Sequence, residues 1–478
     1  MPITASQGGL SYIKVSDGPI WKYWIGKYSG NGIIGGSCFN SNTLYAVVNI
    51  NNTVGFANYI TTDICKINIG TFTSSPTTQL SPTIGNFNVA NPNTAYCYME
   101  TIEYNSNTSS VIVTGQERVR APNLNAILTE AYYVLNSSNL SISNQRDFFG
   151  SSASNIPSDR PTRSGNNIAV FNDGNFYISG VTQQYFANRI YYAHSVIAKF
   201  DNNGNILLTK RILPDGAITA NRSTGGFSGI TQLNNNTIIM SGSLDQTNTN
   251  PFSYFVASLD ANLSAFNWKK KITNFSNTLY PNVRLITSDN TSNIYISTDT
   301  TSFGPGILKL DANGNIVWQK YFVGSATTNS AILSCLSYNN NDVYFGLGNL
   351  VGKVHSSNGE IQFVNRLSSN AGGQAVSNIT QTSNNFIFTT QISAPTAGLL
   401  TNAIYNFPVD GTIPGSGNYI LGNLISTYEN VTSQITAIDG LYQTIDANIS
   451  IQNDNSTNVA STNTLTGNAN AYTFSRVS

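Results

Sequence analysis

Residues 306–322 read Gly-Ile-Leu-Lys-Leu-Asp-Ala-Asn-Gly-Asn-Ile-Val-Trp-Gln-Lys-Tyr-Phe. Leu308 and Leu310 alternate with other residues ahead of Asp311-Ala312-Asn313-Gly314, and Ile316 and Trp318 alternate behind it. Period-two patterning marks half-buried strands, and Asn-Gly between two such runs marks a tight hairpin. Degenerate copies of this hairpin recur along most of the chain. Residues 195–210 turn at Asp201, 254–269 at Asp260 and 351–363 near Ser356. Weaker copies turn near Asn68, Asn136 and Asp410. The seven turns are separated by 68, 65, 59, 51, 45 and 54 residues.

Each unit also carries a second hairpin upstream, at residues 33–50, 98–115, 167–180, 229–242, 283–297, 331–346 and 376–390. Two hairpins per unit of roughly 40–50 residues form a four-stranded propeller blade. The sequence therefore predicts an all-β propeller of seven four-stranded blades over residues 19–420, with loop insertions lengthening the early units. A ring of blades must close without an open sheet edge. Residues 20–29, Ile-Trp-Lys-Tyr-Trp-Ile-Gly-Lys-Tyr-Ser, resemble 316–325, the outer strand of a unit. Residues 20–27 are thus expected to complete the last blade, with Thr412–Ile420 as the competing candidate. Residues 421–478 are rich in Asn, Ser and Thr and read as a C-terminal arm or tail, and residues 1–18 as an N-terminal arm.

Composition narrows the function. The chain has 478 residues, 23 basic and 23 acidic, and only 10% are charged, against roughly 25% in an ordinary soluble domain. A neutral surface of amides and hydroxyls offers little attraction to nucleic acid or anionic lipid. Aromatic content of 11% in alternating runs argues for a folded β-protein rather than disorder. No apolar run reaches the ~18 residues that span a bilayer, and the start lacks the basic and apolar regions of a signal peptide. Cys38, Cys65, Cys97 and Cys335 show no CxxC spacing. They read as buried free thiols of a protein matured in a reducing compartment.

Ionisable groups in catalytic or metal-ligating patterns are scarce. His194 and His355 have no ligand partner at metal-binding spacing. Cys38, Cys97 and Cys335 fall on the innermost strands, where small buried residues are expected. Asp201, Asp260, Asp311 and Asp410 lie on different blades and are expected to bond the backbone of their own turns. Residues 201–205 lack the full calcium-loop pattern. Trp21, Trp24, Trp268 and Trp318 read as blade packing. No catalytic residue, cofactor site or metal site is expected, and the chain reads as a non-enzyme. One basic cluster stands out: Arg118, Arg120, Arg146, Arg160 and Arg163 lie in the region with the longest loops. Arginine is favoured at protein interfaces, so these five are the candidate partner-binding residues.

The unit at 307–320 resembles the repeat of PQQ-like bacterial β-propeller proteins over about residues 20–410. The cofactor site and calcium ligands of the PQQ-dependent enzymes are missing from it, so that resemblance implies the fold alone. Residues 407–420, Phe-Pro-Val-Asp-Gly-Thr-Ile-Pro-Gly-Ser-Gly-Asn-Tyr-Ile, with the polar tail behind them, look like the end of propeller-type virion proteins of tailed phages, marine ones especially. This resemblance implies a structural component of a phage tail or tail fibre, assembled in the host cytoplasm. It would contact other virion proteins through its rim and terminal arms, and take part in adsorption to a host receptor or glycan. The alternative is a glycan-binding or glycan-degrading propeller at a cell surface.

Overall fold

The computed structural model describes residues 10–460 apart from 15–23, 29–31, 55–56, 69–72, 81–95, 120–126, 150–158, 162–166, 186–190, 215–228, 245–252, 275–284, 301–303, 326–332, 340, 370–373, 382–384, 393–401, 414–417, 422–423, 440–441, 447–448 and 454–456. Seven antiparallel blades stand in a ring. Their innermost strands are, in order, Gly32–Asn40, Tyr96–Asn105, Asn167–Val170, Gly229–Gln232, Ile286–Ser288, Leu333–Asn339 and Gln374–Gln381. Each touches the next, and the seventh touches the first, so the ring is closed. Blades 1 and 2 are joined by a single parallel bridge between Ile60 and Tyr96. Among the described residues no helix is long and apolar enough to cross a membrane.

The hairpin at 306–322 is the outer hairpin of blade 5. Gly304–Leu310 pairs with Ile316–Gly324, opposing Leu308 to Gln319 and Lys309 to Trp318. Asp311 accepts hydrogen bonds on Oδ1 from the backbone N–H of Asn313 (2.9 Å) and Asn315 (2.8 Å). Burial works against its charge, but the bonds from Asn315, Asn313 and Gly314 outweigh it and hold the carboxyl below the usual range. Gly314 takes φ +80°, a left-handed conformation that glycine adopts without strain. Asp201 and Gly204 repeat the arrangement in blade 3.

The turn acids are therefore structural, and the turns themselves serve as docking points for the preceding blade. Tyrosine and lysine face one another on the second and third strands of four blades, as Tyr45–Lys66, Tyr177–Lys199, Tyr295–Lys309 and Tyr344–Lys353. In three of them the ammonium sits 5.3–5.7 Å from the ring centre, as Lys199, Lys309 and Lys353. In the first three pairs the lysine crosses to the outer turn of the next blade. Lys353 instead bonds Asp342 of its own blade (3.0 Å), and there the Tyr344 hydroxyl crosses, donating to the Val409 carbonyl (3.1 Å). Lys66 donates to the Ser138 carbonyl (3.0 Å), Lys199 to that of Ala261 (3.0 Å) and Lys309 to that of Ser356 (2.9 Å). Trp268 and Trp318 do likewise, to Ala312 (2.7 Å) and Ser356 (2.9 Å). A Cβ on Gly314 would lie 2.9 Å from the Trp268 ring.

Two chain ends complete the ring. Trp24–Tyr28 pairs with Asn402–Pro408 as the fourth strand of blade 7, and Leu10–Lys14 adds a fifth. The competing stretch goes elsewhere: Asn418–Leu421 pairs with Leu424–Asn430 at the edge of blade 6. From there the chain runs backwards around the rim and adds one strand to each blade it passes. Leu424–Asn430 joins blade 6, Ile435–Asp439 blade 5, Tyr442–Asp446 blade 4, Ile449–Asn453 blade 3 and Thr457–Ala460 blade 2.

This belt has a charge register. Glu429 lies opposite Arg366, Asp439 opposite Lys320, and Asp446 opposite Lys270. Lys320 reaches Asp439 at 2.7 Å and Arg366 reaches Glu429 at 3.0 Å. Opposite charges on facing strands favour one pairing over its slipped alternatives. Tyr428 anchors the belt in the core between blades 6 and 7, stacked on Phe407 with ring centres 4.4 Å apart.

Candidate functional site: the central channel

The seven inner strands enclose a cavity of about 910 Å³. Its wall carries Ser37, Thr101, Thr231, Ser288, Ser334, Ser377 and Thr380, with Gln232, Asn290 and Asn378 among them. Hydroxyls and amides pass hydrogen bonds from blade to blade around this wall. Thr231 Oγ1 and Ser288 Oγ lie 3.0 Å apart, and Ser288 donates to the Gln232 carbonyl at 2.6 Å. Ser337 donates to Gln381 Oε1 at 2.8 Å, and Ser334 to the Val376 carbonyl. Among the described lining residues none is Lys, Arg or His.

One sector differs. Glu100 and Glu103, both on the inner strand of blade 2, line the channel. The strand is bulged between Met99 and Thr101, and a bulge re-aims a side chain. Asn49 of blade 1 clamps it from behind: its Nδ2 donates to the Met99 carbonyl (2.7 Å) and its Oδ1 accepts from the Met99 N–H (2.9 Å). Thr62, opposite Asn49 in its own sheet, donates to Asn49 Oδ1 (2.6 Å) and lies 2.9 Å from the Cys97 carbonyl. Glycines let the backbones close in. A Cβ on Gly35 would lie 2.5 Å from the Met99 carbonyl oxygen, and one on Gly36 2.7 Å from that of Glu100.

Glu103 keeps part of its surface open to the channel yet is packed round by protein. Burial pushes its carboxyl up to about 7, opposed by a hydrogen bond from the Tyr104 backbone. Across the blade 1 boundary, the Cys38 thiol is pushed up first by burial and then by the field of Glu103. Beside Cys38, Ser37 is 9% exposed, and its hydroxyl oxygen is fully buried with no hydrogen-bond partner.

The sequence-derived candidates lie away from this sector. Arg118 falls near the end of Ser110–Val119, and Arg160 on Asp159–Pro161, opposite Gln183 near the end of Phe176–Tyr185, so chain direction puts these two strand positions toward the same ring face, on blades 2 and 3. Arg146 lies mid-strand on Ile142–Phe149, level with Tyr132 and Thr114. Arg120 and Arg163 lie outside the described residues. His355 ends the third strand of blade 6, its Nδ1 3.1 Å from Ser357 Oγ in the outer turn. The His194 backbone sits opposite Thr182. Cys38, Cys65 and Cys97 are buried free thiols. Among the described residues no group of three His, Cys, Asp or Glu could hold a metal ion. Sequence reasoning missed Glu100 and Glu103. The available signal was rarity: the chain has six glutamates, and these two stand three residues apart on an inner strand.

No protein-family model and no curated protein matches the chain. Solved structures do resemble it. The polysaccharide lyase Uly1 is 9% identical with a TM-score of 0.48, covering 86% of this chain and 100% of that one. The Dos1 propeller is 9% identical with a TM-score of 0.40, covering 84% and 97%. The quinohemoprotein alcohol dehydrogenase from Comamonas testosteroni is 9% identical with a TM-score of 0.43, covering 87% and 75%. Likenesses this distant carry no argument about ligand or reaction, and the propeller assignment rests on the strand pairing itself. One expectation is nevertheless corrected. Enzymes stand among the structures similar to this chain, and the channel holds carboxylates that the sequence survey passed over, so the reading of the chain as a non-enzyme is withdrawn.

Proposed function

We propose that the protein is a glycan-binding ring acting at a cell surface, with the central channel as the binding site. The observation that carries this reading is the wall: hydroxyl and amide side chains from the inner strands line a cavity of about 910 Å³. Ligand sites of ~300–1,000 Å³ with convergent polar groups suit small organic ligands. Short polar side chains on rigid strands match the alternating donors and acceptors of a sugar. The test is a glycan array probed with the intact chain, followed by calorimetry on the hits. Binding weakened by Thr231→Val or Ser337→Ala is the expected result. An array without a hit removes the reading.

A second reading, a tail or fibre component of a phage virion, draws on the rim. The belt from Leu424 to Ala460 ties five blades together, which suits a part that must stay folded outside a cell. The strand positions of Arg118 and Arg160 then offer a face for neighbouring proteins. Mass spectrometry of purified particles tests it, and absence of the chain from virions rejects it.

A further inference from the structure

We propose that the seam where blade 7 meets blade 1 is a sugar-stacking subsite of the channel, taking an uncharged hexopyranose on Phe39 with Thr380 and Asn378 as its polar partners. This proposal rests on the glycan reading and names the ligand class and contact residues for the same site. All three residues line the channel and are half-buried.

Strand pairing turns them toward one another. Phe39 alternates with Cys38, which packs in the core between blades 1 and 2, so Phe39 faces blade 7. Asn378 and Thr380 flank Ile379, which packs in the core between blades 6 and 7, so both face blade 1. The two inner strands, Gln374–Gln381 and Gly32–Asn40, touch. The repeat of the ring sets the level. Ser288, Gln381 and Phe39 oppose Ile294, Phe386 and Leu44, which in turn oppose Leu310, Phe407 and Ile67, each just ahead of its outer turn. Thr231 meets Ser288 of the next blade at 3.0 Å, and Ser337 meets Gln381 at 2.8 Å. Thr380 holds the place of Thr231 and Ser337, and Phe39 that of Ser288 and Gln381.

At the seam, therefore, a ring replaces the polar partner that other blades supply. Among the described residues no hydrogen bond engages the Thr380 or Asn378 side chain. Phe39 is also distinct among the described aromatic residues of the wall. Tyr104 stacks on Tyr45 and Phe171 packs on Tyr177, with ring centres 5.9 and 4.5 Å apart. Phe39 has no ring partner among the described residues. A half-open ring beside two unbonded polar groups matches a hexopyranose. The C–H face of the sugar lies on the ring, apolar against apolar. Its edge hydroxyls meet the Thr380 hydroxyl and the Asn378 amide, each able to donate and accept. An acidic sugar would need a cation to offset the water it loses, and no Lys, Arg or His stands among the described lining residues.

The test is calorimetry on the intact chain at pH 7 with cellotriose, β-1,4-galactotriose and trigalacturonate. The expected result is binding of at least one neutral trisaccharide, about tenfold or more tighter than trigalacturonate. Phe39→Ala should weaken it about tenfold, the order one aromatic stacking contact supports, and Phe39→Trp should retain it. Thr380→Val and Asn378→Ala should each cost several-fold. Neutral binding that Phe39→Ala and Thr380→Val leave unchanged would overturn the proposal and leave the glycan reading standing. Tighter binding of trigalacturonate would do the same. Binding of none of the three would overturn the proposal, and with an empty glycan array the reading beneath it. Thermal melts by circular dichroism check each fold. If Phe39→Ala unfolds, Phe39→Leu keeps apolar packing against blade 7 without the flat ring, and should weaken binding alike.

Discussion

Glu103→Gln should make the folded ring more stable at pH 8 and leave it unchanged at pH 4. An ordinary carboxyl titrates near 4.5, and burial carries this one to about 7. Each pH unit of displacement is worth ~1.4 kcal/mol, so the full penalty of ionising Glu103 in the folded state is about 3 kcal/mol. Water in the channel screens a group that keeps part of its surface open, which brings the figure to about 1–2 kcal/mol. The sign follows from proton counts. Below pH 4.5 the folded and unfolded chains both hold the proton and no penalty exists. Between 4.5 and 7 the folded state binds more protons, so stability falls as pH rises, and above 7 the loss is complete.

Glutamine keeps the shape and removes the charge, so the variant loses this slope. Other groups near Glu103 do not mimic it. Burial pushes the Cys38 thiol and the Tyr98 phenol up, away from the window, leaving Glu100 as the control to mutate in parallel. Urea denaturation from pH 4 to 8, followed by tryptophan fluorescence and by circular dichroism, gives the comparison, with coincident curves required for a two-state treatment. A variant less stable than wild type at pH 8, or one with an unaltered pH slope, would refute the burial argument.

Three further outcomes follow from packing. Gly314→Ala places a side chain at φ +80° and 2.9 Å from the Trp268 ring, which should cost about 2 kcal/mol or more and alter Trp268 emission; unchanged stability and emission would contradict the turn-docking account. Tyr428→Ala removes a fully buried ring stacked on Phe407 and should cost about 3–5 kcal/mol, with faster proteolysis between 424 and 460 in limited digestion. Asn49→Ala strips the clamp from the Met99 N–H and carbonyl and should cost about 2–4 kcal/mol. If the bulge places Glu100 in the channel, ligand affinity falls with it, read by calorimetry.

The ring was legible because its signals are local and repeated. Asp311-Ala312-Asn313-Gly314 announces its own turn through side-chain-to-backbone bonds within four residues, and seven such turns at blade spacing leave few other folds. The closing strand was also legible, because Trp24–Tyr28 carries the pattern of the strand it replaces. The tyrosine–lysine pairs were readable in principle, in segments such as Asn293-Ile294-Tyr295-Ile296 and Leu308-Lys309-Leu310. Their target is the turn of another blade, and no spacing in the chain announces it. The channel carboxylates failed for a different reason. Glu100 and Glu103 lie on one inner strand and have no glutamate counterpart on the inner strands of the other six blades, so a survey for repeated features averages them away.

The belt shows where pattern reading stops and energetics begins. Residues 421–460 alternate weakly and are rich in Asn, Ser and Thr, which reads as a tail, because a strand laid on the outer edge of a blade needs no strict alternation of its own. Backbone pairing along an already formed edge supplies most of the order. What remains to be specified is register, and a few charges suffice for that. Glu429 and Asp439 pair with Arg366 and Lys320, and the Asp446 position lies opposite Lys270. An exposed pair of this kind adds about 0–1 kcal/mol, too little to hold the belt yet enough, twice over, to disfavour a slipped arrangement. Three of the strands also start in step: Ile435–Asp439, Tyr442–Asp446 and Ile449–Asn453 begin seven residues apart. Seven extended residues reach about 23 Å, a stride that serves both to pair with one blade and to cross to the next. A charge-reversed pair, Lys320→Asp with Asp439→Lys, should therefore restore the belt's protease resistance that either single change lowers. Failure of the double variant to recover would mean that the backbone edge alone sets the register.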